Sequence, residues 1–237
     1  MADQEQRLFL SPPHMSGRER ELVQEAFDSN YIAPLGPMVD AFEREFAAYT
    51  GIPHCLAVSS GTAAMHLALT CLKRKWEDQA NRGGTRQTVF ASSLTFIGGI
   101  SPALFEGLEP VFIDCEPESW TMDPGLLEEA LESYAASGNL PLAVIPTDMY
   151  GQCCQLRQIC EICDRFDVPV ICDSAEAVGA WYWPSGERRG KRECKHDGAV
   201  HAGYDASAAV YSFNGNKIIT SSGGGMLASH DKKLIDY

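Results

Sequence analysis

The sequence predicts an α/β fold, with a mostly parallel sheet and helices on both faces. Three observations carry this. Short apolar stretches alternate with amphipathic helical ones along nearly the whole chain. Several of the strands, residues 168–172 among them, are apolar at every position, as strands covered on both faces are. The 237 residues are 45% hydrophobic and 22% charged, with 21 Gly and 13 Pro. That is a globular composition, and it excludes collagen-like, coiled-coil and wholly disordered chains.

The elements follow in order. Ser16-Gly17-Arg18-Glu19 has the form of a capping box, opening a helix that runs to about Phe27. A second helix, from near Pro37 to Tyr49, sets Phe42, Phe46 and Tyr49 on one face and stops at Gly51. Residues 56–58 form a short strand leading into a helix over 61–72. A strand at 88–90 feeds apolar helical sequence at 97–105. A strand at 111–113 precedes a helix with Asp123-Pro124 in its first turn. A strand at 142–145, a helix at 156–166 and strands at 168–172, 208–213 and 226–228 complete the series. The tail ending at Tyr237 is polar and helix-like. Residues 73–87 and 184–201 read as surface insertions. The second carries Arg188, Arg189, Lys191, Arg192 and Lys195, which could meet a diphosphate, though a solvated loop is the plainer reading.

Composition removes several function classes. Nineteen Lys and Arg against 32 Asp and Glu give a net charge of −13, which argues against a general nucleic-acid or anionic-membrane binder. No stretch approaches the ~20 apolar residues of a membrane span, and the polar first residues lack a signal-peptide apolar region. The nine cysteines are odd in number and sit mostly in apolar runs, so a reducing cytoplasm is expected rather than a disulfide framework. Cys160 and Cys163 form a C-x-x-C just after Cys153-Cys154. A zinc or redox role is open there, but small apolar residues on a helix are the favoured reading, and no metal is expected.

In parallel sheets ligands bind beyond the carboxyl ends of the strands, and four strand exits carry chemistry. Ser59-Ser60-Gly61-Thr62-Ala63-Ala64 is a small-residue turn into a helix. Its free amides and the helix dipole suit an anion, Gly61 permits close approach, and Thr62 adds a hydroxyl; a plain N-cap reads equally well. Neither a dinucleotide fingerprint nor a P-loop is present. Thr95-Phe96 puts an aromatic where it could lie on a planar heterocycle, or simply be core. Cys172-Asp173-Ser174-Ala175-Glu176 ends an apolar strand in two carboxylates. Asp173 there needs a cationic partner: a protonated pyridine nitrogen, a metal or a buried Lys or Arg. Asn214-Gly215-Asn216-Lys217, followed by Gly223-Gly224-Gly225, surrounds one lysine with apolar residues and turns, as a desolvated amine nucleophile requires. A phosphate cradle, a flat aromatic, a carboxylate for a ring nitrogen and an activated lysine are together the parts of a pyridoxal phosphate site.

As a set, these motifs resemble the DegT-type sugar-nucleotide aminotransferases of the fold-type-I pyridoxal phosphate superfamily. The matching segments also include residues 30–36 with Phe42-Glu43, and Tyr150-Gly151-Gln152; together the resemblance spans about residues 11–229. It implies the large domain of that fold, with pyridoxal 5'-phosphate as cofactor. It implies that Lys217 holds the cofactor aldehyde and shuttles the reaction's proton. Asp173 then pairs with the ring nitrogen, Phe96 stacks on the ring and Glu176 lies near its phenolic oxygen. Gly61, Thr62, Ala63 and Ser212 take the phosphate, and Tyr31 approaches the sugar. The implied reaction passes an amine from L-glutamate to the keto group of a nucleotide-linked deoxy sugar, in a cytoplasmic homodimer. Glu176 stands where many members have Gln or His. Asn214-Gly215-Asn216 resembles the branch acting on UDP-linked 4-keto-6-deoxy sugars, and Lys217 argues against the related dehydratases. Residues 1–36 are expected to form an N-terminal helix and substrate loop, and 37–237 the cofactor-binding domain, with the family's C-terminal small domain absent or truncated. A non-catalytic cofactor-binding relative, or another pyridoxal phosphate enzyme such as a lyase, remains the alternative.

Overall fold

A computed structural model describes residues 8, 10–12, 14–78, 86–184 and 198–236. The basic cluster at 188–195, with Cys194, lies outside them.

Helix α1 (Glu19–Asp28) begins at the expected glutamate, but only half of the predicted capping box forms. Glu19 accepts from the Ser16 and Gly17 amides at 2.5 and 2.8 Å, while the Ser16 hydroxyl takes the Arg18 amide instead of that of Glu19. With Gly17 at φ +100°, the turn folds back one residue too early for the reciprocal bond. Helix α2 (Pro37–Thr50) starts on a proline, whose missing N–H costs nothing at a helix start. It ends at Gly51 in the left-handed region (φ +77°), where the Gly51 amide closes on the Ala47 carbonyl.

Seven strands make the main sheet: β1 (His54–Val58), β2 (Thr88–Ser92), β3 (Glu109–Ile113), β4 (Val144–Ile145), β5 (Ile171–Asp173), β8 (Ala208–Ser212) and β9 (Gly225–Ser229). Between β5 and β8 a small hairpin pairs β6 (Trp181–Tyr182) with β7 (Val200–His201), an element that its short, mixed sequence does not announce. One group of the main strands runs β3-β2-β4 and the other β5-β8-β9-β1. Parallel bridges from Val144 to Val170 and from Thr147 to Asp173 join them. Within the main sheet all strand pairings are parallel except those of β9, which runs antiparallel to both β1 and β8.

Alternation along the strands sorts the core onto two faces. Val89, Ala91, Ile145, Ile171, Val210 and Leu227 pack against α3 (Gly61–Asp78), α4 (Ile97–Phe105) and the short α7 (Lys232–Ile235). Their neighbours Phe90, Val144 and Cys172 face α5 (Pro124–Ala136) and α6 (Leu156–Asp164), which bring Leu127, Leu131, Ile159 and Ile162. Asp123 caps α5 by accepting from the Gly125 and Leu126 amides. Farther along that face, Phe46 of α2 meets Tyr211 and Phe213 edge-on, with ring centroids 5.0 and 5.8 Å apart. The layers therefore alternate as predicted. Every strand ends, at its carboxyl side, toward one edge of the sheet, apart from antiparallel β9, which starts there.

Candidate active site

That edge holds a cavity of about 870 Å³, of a size that suits a small-molecule ligand. Its walls are the exits of β1, β2, β4, β5 and β8.

At the β1 exit, Ser60 Oγ accepts the Ala63 amide at 3.0 Å and the Ser60 carbonyl takes the Ala64 amide, so the first turn of α3 is capped from within. Gly61 and Thr62 lead the positive end of that helix to the cavity, joined by the side chain of Ser212 from β8. The glycine cluster after the lysine serves this turn. The Gly224 amide donates to the Ser59 carbonyl at 3.1 Å. A Cβ on Gly225 would collide with the Ser60 carbonyl and the Gly61 amide. Only glycine lets β9 enter the sheet there.

At the β2 exit, Phe96 is the N-cap residue of α4 and its ring is 71% exposed beside the cavity. Gly98 and Gly99 follow in the first helical turn. A Cβ on Gly98 would lie 2.7 Å from Thr62 Oγ1, and one on Gly99 would strike Asp173 Oδ2. The double glycine, an unfavourable choice for a helix, makes room for the site.

Asp173 ends β5 and is buried, and burial pushes its carboxyl up to about 6. The Ala175 amide, donating to Oδ1 at 3.2 Å, and the positive charge of Lys217 act in the opposite direction. Lys217 lies beyond β8 on a segment whose neighbours Asn216 and Ile218 are exposed, yet its own side chain is only 9% exposed. Its Nζ donates to Glu176 Oε1 at 2.8 Å and stands 5.8 Å from the Phe96 ring centroid. Glu176 Oε2 accepts the amide of Tyr150, a residue at φ +50°. One carboxylate thus ties together the exits of β4, β5 and β8.

Gly61, Thr62, Phe96, Asp173, Glu176, Ser212 and Lys217 therefore all line one cavity. Two expected residues do not. Ala63 has its amide engaged by Ser60. Tyr31 lies against Gly36 within its own loop, half exposed. The cavity also takes in Trp120, Thr147 and Asp148, which the sequence reading did not single out. Thr147 joins the β2 and β4 exits by donating from its amide to Ser92 Oγ and from Oγ1 to Thr95 Oγ1, at 3.1 and 3.0 Å. Asp148 is buried and accepts from the Cys154 amide and the Ser174 hydroxyl at 2.8 and 2.6 Å. The exits of β2, β5 and β8 could be found from apolar runs stopping at polar residues. The apolar run at 142–145 likewise stops at Thr147-Asp148, but that exit was not singled out in the sequence.

Comparison with known proteins places the chain in a family. Residues 13–237 match the profile of the DegT/DnrJ/EryC1/StrS aminotransferase family. EpsN of Bacillus subtilis (strain 168), assigned as a pyridoxal phosphate-dependent aminotransferase, is 46% identical over 97% of this chain and 53% of its own length. GDP-perosamine synthase of Caulobacter vibrioides is 33% identical over 96% of this chain and 53% of its own. The crystal structure of DesI in the presence of its TDP-sugar product superposes with a TM-score of 0.74 at 25% identity, covering 97% of this chain and 50% of that one. The chain spans about half the length of the curated relatives it matches.

Proposed function

Because the chain belongs to the DegT/DnrJ/EryC1/StrS aminotransferase family, whose cofactor is pyridoxal phosphate, we propose that it transfers an amino group from L-glutamate to a keto group of a nucleotide-linked deoxy sugar. The observation that carries this is Lys217 Nζ, nearly buried and hydrogen-bonded to Glu176 at 2.8 Å in the cavity that also holds the buried Asp173.

The donor set suits the cofactor. The start of α3, with Thr62 and Ser212, offers hydroxyls and a helix N-terminus to a phosphate. Asp173 offers a buried carboxylate to a cationic ring nitrogen, and Lys217 a primary amine to an aldehyde. Gly98 and Gly99 keep the space between them free of side chains. Bound there, pyridoxal phosphate supplies an electron sink for the carbon that loses its proton.

This chain's residues would do the rest. Lys217 Nζ, the amine nearest that space, would take the proton from the substrate carbon and return it on the far side of the exchange, as a general base and then a general acid. Glu176 Oε1 accepts a hydrogen bond from Nζ and holds the amine at one place between those transfers. Asp173 keeps a positive charge favourable at the ring nitrogen by being ionised and poorly hydrated. Phe96 covers one flank against water. Residues 1–36, with Tyr31, are proposed as the substrate-side arm of the cofactor domain. Leu22, Val23 and Phe27, exposed on α1, suit a homodimer, and the proposed setting is the cytoplasm, where thiols stay reduced.

The test is incubation with L-glutamate and a panel of UDP-, GDP- and TDP-linked 4-keto-6-deoxy sugars, read by mass spectrometry. An amino sugar from one nucleotide series, with 2-oxoglutarate in equal amount, is the expected result, and Asn214-Gly215-Asn216 makes UDP the first series to try. Cofactor binding without amine exchange would instead support a non-catalytic relative.

A further inference from the structure

At the wall of the cofactor cavity, reaching into the core behind Asp148, lies a group of side chains that the proposed reaction does not use. Among the described residues, the carboxylate of Asp148 and the thiols of Cys154 and Cys172 place one ligand atom each within 4.8 Å of the others, and all three residues are buried. They come from three separate pieces of chain: the β4 exit, the segment before α6, and β5. The C-x-x-C of Cys160 and Cys163 is not part of the group. Cys160 donates instead to the Asp205 carbonyl at 3.4 Å.

We propose that Asp148, Cys154 and Cys172 bind a divalent zinc ion, with water or a neighbouring oxygen in the fourth place. Zinc takes thiolate at about 2.3 Å and carboxylate oxygen at about 2.1 Å, so a tetrahedral site puts sulfur and oxygen about 3.6 Å apart. The Cys172 thiol donates to Asp148 Oδ2 across 3.5 Å, a spacing that the ion would take over when it replaces the thiol proton. The carboxylate is already oriented, since Oδ1 accepts from the Cys154 amide and Oδ2 from the Ser174 hydroxyl, as outer-shell partners orient ligating carboxylates. No Lys, Arg or His forms an ion pair with Asp148 among the described residues, so the donor a cation there would displace is the Cys172 thiol proton. Binding exchanges two S–H bonds for two zinc–sulfur bonds and releases two protons to solvent. The ion would pin β5 to the β4 exit one residue before Asp173, acting as a structural clamp rather than as part of the reaction.

The test uses the whole chain with its cofactor, purified under reducing conditions, exposed to zinc and then desalted. Elemental analysis should give one zinc per chain, and X-ray absorption at the zinc edge should show two sulfur neighbours with the remainder oxygen. Cys154→Ser and Cys172→Ser should each lose the bound zinc, while Cys160→Ser keeps it. Zinc well below one per chain in the unaltered protein overturns the proposal, whether or not the variants fold. So does a neighbour shell without sulfur. Zinc retained in folded Cys154→Ser or Cys172→Ser overturns it equally.

Discussion

Two strand exits meet at this cavity and hold their charged groups by opposite means. The β5 exit is buried throughout, from Ile171 to Ser174. Asp173 is fixed there by its strand, by the Ala175 amide and by the space that Gly99 leaves. The β8 exit leaves the core after Phe213, and Asn214, Gly215 and Asn216 are exposed. Lys217 turns its side chain back inward and is held by one ion pair to Glu176. An anion is thus placed by packing, and a cation by a partner. This suits the tasks proposed for them: a group that stabilises a fixed charge should not move, whereas one that carries a proton must.

The largest effect should come from removing the mobile member. Lys217→Ala should abolish the visible absorption band of the lysine-bound cofactor and reduce amine exchange by about 10²–10⁴-fold or more. A spectrophotometer checks the first, and an undiminished band would overturn the assignment of Lys217.

Asp173→Asn comes next. It keeps the shape but removes the charge, and should weaken cofactor binding by about 2 kcal/mol, the scale of a charge-assisted hydrogen bond. Equilibrium titration with pyridoxal phosphate measures this; unchanged affinity would mean that packing alone, not charge, matters at the β5 exit. Gly99→Ala tests the packing half directly. The added methyl would push against Asp173 Oδ2 and cost about 1–3 kcal/mol of stability, as overpacking does, measurable by chemical denaturation.

Glu176→Gln should be milder. The amide can still accept from Lys217 Nζ, so the visible band persists, while exchanging a charged for a neutral hydrogen bond costs about 1 kcal/mol in the denaturation midpoint. A loss as severe as that of Lys217→Ala would show that the partner, rather than the lysine, is the essential group.

The smallest effect at neutral pH concerns His201, which lies between the segment after β5 and strand β8. His201 Nε2 accepts the Gly179 amide, and Nδ1–H donates to the Ala202 carbonyl, which also accepts from the Tyr211 hydroxyl of β8. Burial lowers the pKa of His201. The unfolded chain therefore takes up a proton before the folded one does. The stability that neutral His201 contributes is present above the unfolded value of about 6.5 and is lost as pH falls below it. His201→Gln should flatten the decline in melting temperature between about pH 6.5 and 5; an unaltered slope would remove His201 from this role.

The same contrast explains what could be read from sequence. Asp173 and Lys217 were legible because each interrupts an apolar pattern with a charge, which is costly without a purpose. The helix at 37–50 was legible from periodicity and its end residues, and the one at 97–105 from its apolar run alone. Periodicity did not distinguish α1 from α2, although α2 buries Phe46 and Thr50 and α1 buries nothing within this chain. A helix's own pattern says which face is apolar, not what it meets. The antiparallel course of β9, the β6–β7 hairpin and the placing of Asp148 were not legible, because each depends on pairing between distant segments. Ala63 falls outside the cavity lining for a local reason: the Ser60 hydroxyl takes its amide.

The antiparallel pairing of β9 with β1, from His54 opposite Ser229 to Val58 opposite Gly225, sets an order of events. During synthesis β1 emerges early and stands without its partner until nearly all of this chain has left the ribosome. Contacts between such distant segments form slowly, since a long loop must close before they repay its entropy. The turn at Ser59–Gly61 proposed for the phosphate, braced by Gly224 and Gly225, is then among the last parts to acquire its final shape. The chain becomes competent for its cofactor at the end of folding, and free cofactor should stabilise the folded product rather than hasten its formation.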